Sequence, residues 1–224
     1  MAGRLLFGSR QKFAPICRAQ SKSGREEEHR KFVDEFFEQM IIEYQQKQLA
    51  FFSDTHGQHR KLPLTEVDIA VHLGDACTFG NPTQFSDFLE WFSQYPAKHK
   101  LFVAGNHELQ WEEEPEAFLQ QFSQNIIFLE NRMIRLEDIV FLSVPARMKL
   151  QRLPKIKQPA KVDFLLTHAP PQGILDNGFG CPILKKFVQK IQPNYHLFGH
   201  IHETAGQKTT ANRTVFINTA FLTR

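Results

Sequence analysis

The apolar positions of this chain come in two rhythms. Between Glu26 and Gln48 they recur every fourth residue, at Phe32, Phe36, Met40 and Tyr44, with Val33, Phe37 and Ile41 alongside. That spacing predicts one amphipathic helix over 26–48, with acids gathered at its start as the helix dipole favours. From residue 49 onward short continuous apolar runs take over, separated by turn formers. They predict strands at Leu49–Ser53, Val67–Leu73, Lys100–Ala104, Ile126–Leu129, Met133–Leu136, Ile139–Val144, Val162–Thr167 and Tyr195–Phe198. Helices are predicted between them at Thr83–Tyr95, Pro115–Gln124 and Pro182–Ile191, the last two with proline in the first turn. Ala205–Ala211 and Thr214–Asn218 read as a closing hairpin, and Pro145–Lys161, without periodicity, as a loop. The order alternates strand and helix and then adds ribbons, which implies an α/β (α+β) domain of packed sheets with helices outside.

Five of the apolar runs end in the same kind of residue. They close on Asp54-Thr55-His56, Gly74-Asp75, Gly105-Asn106-His107, Thr167-His168 and Gly199-His200-Ile201-His202. A lone Gly-Asp is ordinary turn chemistry, and a lone histidine such as His72, His99 or His196 is structural more often than not. Five strand ends carrying oxygen and imidazole donors together point instead to one site at the rim of the sheets, where α/β proteins place their chemistry.

Composition narrows the setting. The 224 residues suffice for one substantial domain, and none of the apolar runs approaches a membrane span. Cys17, Cys77 and Cys181 are scattered and odd in number, as in proteins of reducing compartments. The formal charge of +3 is unevenly placed: residues 1–25 hold six Lys/Arg and no acid. Taking these from the 27 Lys/Arg of the chain leaves 21 against 24 acids. The body therefore lacks the basic excess of a nucleic-acid binder. Residues 1–25 read as a disordered basic leader, with 49–224 as the domain. A cytoplasmic location is expected, with a mitochondrial one as the alternative because an acid-free basic leader is also the composition of a transit peptide.

The donor set, Asp54, His56, Asp75, Asn106, His107, His168, His200 and His202, is larger than one tetrahedral ion needs and fits two. Mixed oxygen and nitrogen donors without thiolate suit manganese, iron or zinc. Two such ions, sharing a carboxylate, lower the pKa of a bound water and so make a hydroxide nucleophile near neutral pH.

In content and order these blocks resemble the five motifs of the calcineurin-like metallophosphoesterase superfamily, over residues 51–202. Ser53-Asp54-Thr55-His56-Gly57, Thr167-His168-Ala169-Pro170-Pro171, Gly173-Ile174-Leu175-Asp176, Gly180-Cys181, Ile191-Gln192-Pro193 and Phe198-Gly199-His200-Ile201-His202-Glu203 are similar to its metallophosphoesterase-domain-containing branch, itself similar to class III cyclic-nucleotide phosphodiesterases. The resemblance implies a four-layer α/β/β/α sandwich with a dinuclear centre. It implies Asp54, His56, Asp75 and His202 on one ion, and Asp75, Asn106, His168 and His200 on the other. Asp75 and His107 are the catalytic residues it implies, His107 facing substrate to stabilise the phosphorane or protonate the leaving oxygen, with Asn106 also touching substrate. The implied reaction is hydrolysis of a phosphodiester, cyclic nucleotides included, or of a phosphomonoester, by a metal-bridging hydroxide. A nuclease of the same superfamily and a non-catalytic scaffold are the alternatives; the acidic body argues against the first and the complete ligand set against the second. The chain departs from the branch after Val144, where Ser143-Val144-Pro145-Ala146-Arg147 replaces Gly-Ser-Pro-Trp and a long aromatic loop. Arg147, Lys149, Arg152, Lys155, Lys157 and Lys161 have no acid among them in sequence, so Arg147 and Lys149 are expected to meet an anionic substrate. The expected partner is a small phosphate ester, with no membrane; the oligomeric state is left open, a homodimer being allowed.

Overall fold

Residues 22–152 and 161–221 are described by a computed structural model. Two sheets face each other. The first has five strands in the order β1 (Ile41–Tyr44), β2 (Lys47–Phe52), β3 (Val67–His72), β4 (Ala97–Phe102) and β5 (Ile126–Phe128). The second has six, ordered β10 (Lys208–Ala211), β11 (Thr214–Asn218), β9 (Tyr195–Phe198), β8 (Phe164–Leu166), β7 (Ile139–Ser143) and β6 (Met133–Leu136). Strands β2 to β5 run parallel, as do β7, β8, β9 and β11, while β1, β6 and β10 close the edges antiparallel.

The continuous apolar runs are explained by burial on both faces. Phe51 of β2 stacks on Phe164 of β8 between the sheets, with ring centroids 5.4 Å apart, and Phe141 of β7 stacks on Phe164 at 5.3 Å. Alternate residues point outward. Phe52 meets Trp91 and Phe92 of α2 (Pro82–Gln94). Leu142, Leu165, Phe198 and Phe216 form a separate cluster with Leu184, Phe187 and Val188 of α5 (Pro182–Ile191). The layers are therefore helix, sheet, sheet, helix, as the sequence implied. No described helix is long and apolar enough to cross a membrane.

The N-terminal segment differs from expectation at both ends. Helix α1 spans Lys22–Gln39, beginning inside the stretch read as leader; once nucleated, a helix adds a turn at little cost. It buries Val33, Phe36 and Phe37, and Met40 is buried just beyond its end; Phe32's side chain and residues 1–21 lie outside the described residues. It also ends well before Gln48. Ile41–Tyr44 is instead a strand, turned back on β2 by Gln45 and Gln46 at φ 50° and 62°, with Ile41 opposite Ala50 and Tyr44 opposite Lys47. Tertiary contacts decide this: the Tyr44 hydroxyl donates to Asp163 Oδ1 at 2.6 Å and accepts from Asn194 Nδ2 at 2.7 Å, which pins the hairpin to the second sheet. Leu109–Glu113 (α3) was not expected, and α4 stops at Gln120 (Pro115–Gln120).

His196 gives a stability prediction. It is fully buried on β9, with Nε2 2.9 Å from Thr167 Oγ1 and Nδ1 unpartnered, and burial lowers its pKa to about 3. The folded protein holds it neutral, whereas the unfolded chain takes up a proton below about pH 6.5. Stability is thus unaffected above pH 6.5 and falls by about 1.4 kcal/mol per pH unit from there toward pH 3. In urea titrations from pH 7 to pH 4.5, His196→Leu should show a pH slope shallower by one proton; an identical slope would mean that His196 is protonated in the fold.

Candidate metal centre

The parallel strands aim their C-terminal ends at one edge of the sandwich, and the donors leave from there. Asp54 follows β2, Asp75 follows β3, Asn106 and His107 follow β4, His168 follows β8, and His200 and His202 follow β9. The sheets are joined at this edge: Ser53 N–H donates to Thr219 O at 3.1 Å and Phe221 N–H to Ser53 O at 2.9 Å. Asp54, His56, Asp75 and His200 all have left-handed backbones, at φ 55°, 43°, 56° and 67°. Such conformations are uncommon outside glycine and gather at functional sites. A Cβ at Gly105 would collide with the Asp75 carboxylate, and one at Gly199 with that of Asp54, so both glycines are needed for the loops to converge.

Three overlapping groups of donor atoms lie close enough to share an ion: Asp54 with His56 and His202, Asp75 with His168 and His200, and His56 with Asp75 and His107. The imidazole hydrogen bonds sort them. His168 Nδ1 lies 2.7 Å from Leu73 O, and His56 Nδ1 lies 3.1 Å from Cys77 O. A carbonyl only accepts, so both rings carry hydrogen on Nδ1 and turn Nε2 inward; in the neutral ring that nitrogen offers its lone pair, the arrangement usual for ligating histidines. His168 Nε2 then faces Asn106 Oδ1 at 3.1 Å, Asp75 Oδ2 at 3.3 Å and Asp54 Oδ1 at 4.0 Å. His56 Nε2 faces His202 Nε2 at 3.4 Å. Nitrogens and carboxylate oxygens this close call for a cation among them, either the second proton that the acids hold on His168 or a metal ion in its place.

His107 is different. Phe79 N–H donates to its Nδ1 at 2.8 Å, so the neutral ring must carry its hydrogen on Nε2, 3.8 Å from Asp75 Oδ2. In that tautomer the nitrogen is a hydrogen-bond donor.

The titration behaviour has the same cause. Burial opposes charge on His168, yet Asp75 and Asp54 push its pKa up to about 10. Burial likewise works to raise Asp54 and Asp75, but His168 holds both carboxyls below the usual range. The cluster demands positive charge at its centre. His200 is lowered to about 4 by burial and by His168, which keeps its ring free to ligate. His107 is lowered by burial and stays neutral at pH 7.

Glu108 has a role that the sequence reading missed, although it directly follows His107 in the chain. Its buried carboxylate accepts N–H from Asp75 at 2.8 Å, Ala76 at 2.9 Å and Gly105 at 2.6 Å, tying the loops after β3 and β4 together. Burial and Asp75 raise its pKa to about 7. Ser53 supports Asp54 through a 2.6 Å hydrogen bond to Oδ2, and His200 N–H donates to the same carboxylate at 3.0 Å. His72 and His196 are buried structural histidines, and His99 pairs with Glu137 at 3.2 Å, none of them at the site.

Arg147 is not the free cation its sequence context suggested: its guanidinium bonds Glu130 at 2.7 Å and Glu112 at 3.1 Å, acids brought near by the fold from elsewhere in the chain. Lys161 is paired with Asp163 at 3.1 Å. Lys155 and Lys157 lie outside the described residues. Lys149 does border the site, lining a cavity of about 420 Å³ with Met148, Gln151, Phe179 and His200.

Fold and site together have the layout of a metallophosphoesterase, with donor groups placed to hold metal. The model of the calcineurin-like phosphoesterase family matches residues 47–204, and the chain belongs to that family. A UPF0046 protein of Caenorhabditis elegans is 31% identical over 196 residues, covering 75% of this chain and 67% of the relative. The human metallophosphoesterase domain-containing protein 1 is 28% identical over 212 residues, covering 76% of this chain and 65% of the relative. The chain thus spans about two-thirds of these relatives' length. Among solved structures, the phosphopantetheinyl hydrolase of Mycobacterium tuberculosis matches in fold, with a TM-score of 0.60 at 11% identity over 77% of this chain and 88% of that one.

Proposed function

We propose that this protein is a dinuclear-metal-dependent phosphoesterase that hydrolyses small phosphodiesters, cyclic nucleotides among them, or phosphomonoesters. The observation that carries the reading is the inward orientation of Nε2 on His56 and His168, fixed by Cys77 O and Leu73 O and faced by two buried carboxylates. Asp54, His56, Asp75 and His202 would hold one ion; Asp75, Asn106, His168 and His200 the other. Manganese, iron or zinc bound there would supply Lewis-acid charge to phosphoryl oxygens and lower the pKa of a water.

The chain's own groups do the rest. Asp75, buried and shared, sets the spacing of the two halves. His107 offers its Nε2–H, kept in that tautomer by Phe79 N–H, to the oxygen on which negative charge develops, acting as a fixed hydrogen-bond donor. Glu108 keeps Asp75 and the Gly105 loop in register. Lys149 adds positive charge at the mouth.

The test is turnover of bis-p-nitrophenyl phosphate, p-nitrophenyl phosphate and cyclic nucleotides by protein reconstituted with each metal. Activity should appear on loading, vanish with a chelator and return on re-addition. A fully loaded protein inert toward the whole panel would favour a non-catalytic role.

A further inference from the structure

The large apolar side chains left in water are not scattered. Of the seven exposed ones among the described residues, Phe79, Leu109, Met148 and Phe179 lie on segments that carry or adjoin the metal centre, Leu109 at the start of α3 and the others on loops, with exposures of 79%, 40%, 59% and 62%. Grouped apolar exposure of this kind marks a binding surface. Phe79 is already engaged, its ring packed on His107 with centroids 4.6 Å apart. Met148 and Phe179 are not. They stand with Lys149 and Gln151 around the cavity whose other wall is His200.

Both sides of this cavity are anchored. On one side, Leu150 N–H donates to Cys181 Sγ at 3.2 Å and Ala169 N–H to Ala146 O at 2.7 Å, which holds the Met148 segment against the start of α5. On the other, Asp176 accepts N–H from Gly173 at 2.8 Å and Gly180 at 3.1 Å, and Phe179 N–H donates to Asp176 O at 2.7 Å. An exposed phenyl ring is thereby presented on a braced loop, so little ordering is needed when a ligand arrives.

We propose that this cavity is a subsite for a planar aromatic ester group of the substrate, its phosphate lying toward His200 and the metal ligands. The proposal rests on the phosphoesterase reading. The chemistry of the walls chooses the occupant. A phenyl ring, a thioether, an ammonium and an imidazole each interact with a π face or edge beyond simple area burial. A saturated group of the same size gains only the area. The volume, about 420 Å³, falls in the range of small-ligand pockets, roughly 300–1,000 Å³. Lys149 adds charge complementarity toward the phosphate. Phe179 and Met148 become residues that set specificity, not residues that act in the chemistry.

The experiment compares affinities of the metal-loaded protein for phenyl, cyclohexyl and methyl phosphate by titration calorimetry, with the wild type, Phe179→Ala and Met148→Ala. Both side chains are largely exposed, so the variants should fold; circular dichroism verifies it. Wild type should bind phenyl phosphate about tenfold more tightly than methyl phosphate, with cyclohexyl phosphate between, and Phe179→Ala should bring the phenyl-to-methyl ratio below about twofold. Equal binding of phenyl and cyclohexyl phosphate, or a ratio that survives both substitutions, would overturn the proposal. Hydrolysis of bis-p-nitrophenyl phosphate in the same preparations tests the hydrolase reading separately: inactivity there defeats that reading, and the affinity ratio, read by calorimetry in an inert protein or from initial-rate inhibition of that hydrolysis in an active one, still decides the subsite.

Discussion

Asp75→Asn should lower phosphoester hydrolysis by more than about 10³-fold and release metal from both halves of the site. Asp75 Oδ2 stands 3.3 Å from His168 Nε2 and 3.9 Å from His56 Nε2, so this one carboxylate reaches a histidine of each ligand group. Its other oxygen is committed to His107 N–H at 2.9 Å. Asparagine keeps one oxygen and replaces the other with a donor, which can satisfy an imidazole lone pair but cannot ligate a cation. The variant should therefore fold. Elemental analysis together with circular dichroism checks both halves of the statement, and an intact variant retaining two tightly held ions would remove Asp75 from the shared position.

His107→Ala should lower kcat by about 10²–10⁴-fold while metal content stays near that of the wild type. The separation of the two effects follows from the tautomer. His56 and His168 donate from Nδ1 to carbonyls and so present lone pairs; His107 accepts at Nδ1 from Phe79 and so presents a hydrogen. Distance alone would group His107 with His56 and Asp75 as a potential ligand, whereas the hydrogen bond from Phe79 favours the tautomer with hydrogen on Nε2. Loss of an ion from this variant would show that the ring ligates after all.

Much of this site could be read from the chain because its strands are buried on both faces. Apolar runs such as Phe51-Phe52 and Leu165-Leu166 have no solvent side, so the residue where each run stops marks the sheet edge, and the donors stand there. What the sequence hid depends on contacts distant along the chain or on the backbone. Ile41–Tyr44 continues the four-residue rhythm of α1 by coincidence, and its turn uses two glutamines where glycine or asparagine would have signalled a hairpin. The partners of Arg147, Glu112 and Glu130, lie on other segments, and a run of cations without local acids looks free until the fold supplies them. Glu108 is invisible as a clamp because its partners are backbone N–H groups, which every residue has. The difference in tautomer between His56 or His168 and His107 is likewise set by the main chain, through Leu73 O, Cys77 O and Phe79 N–H.

The central claim is that the inward-facing donors form two ion sites joined at Asp75. Anomalous scattering from crystals of the metal-loaded protein, collected across the absorption edges of manganese, iron and zinc, tests it most directly. Two ions per chain are predicted, one among Asp54, His56 and His202, the other among Asn106, His168 and His200, both touching Asp75, with the His107 ring uncoordinated. A single ion, ions that do not share Asp75, or an ion ligated by His107 would contradict it.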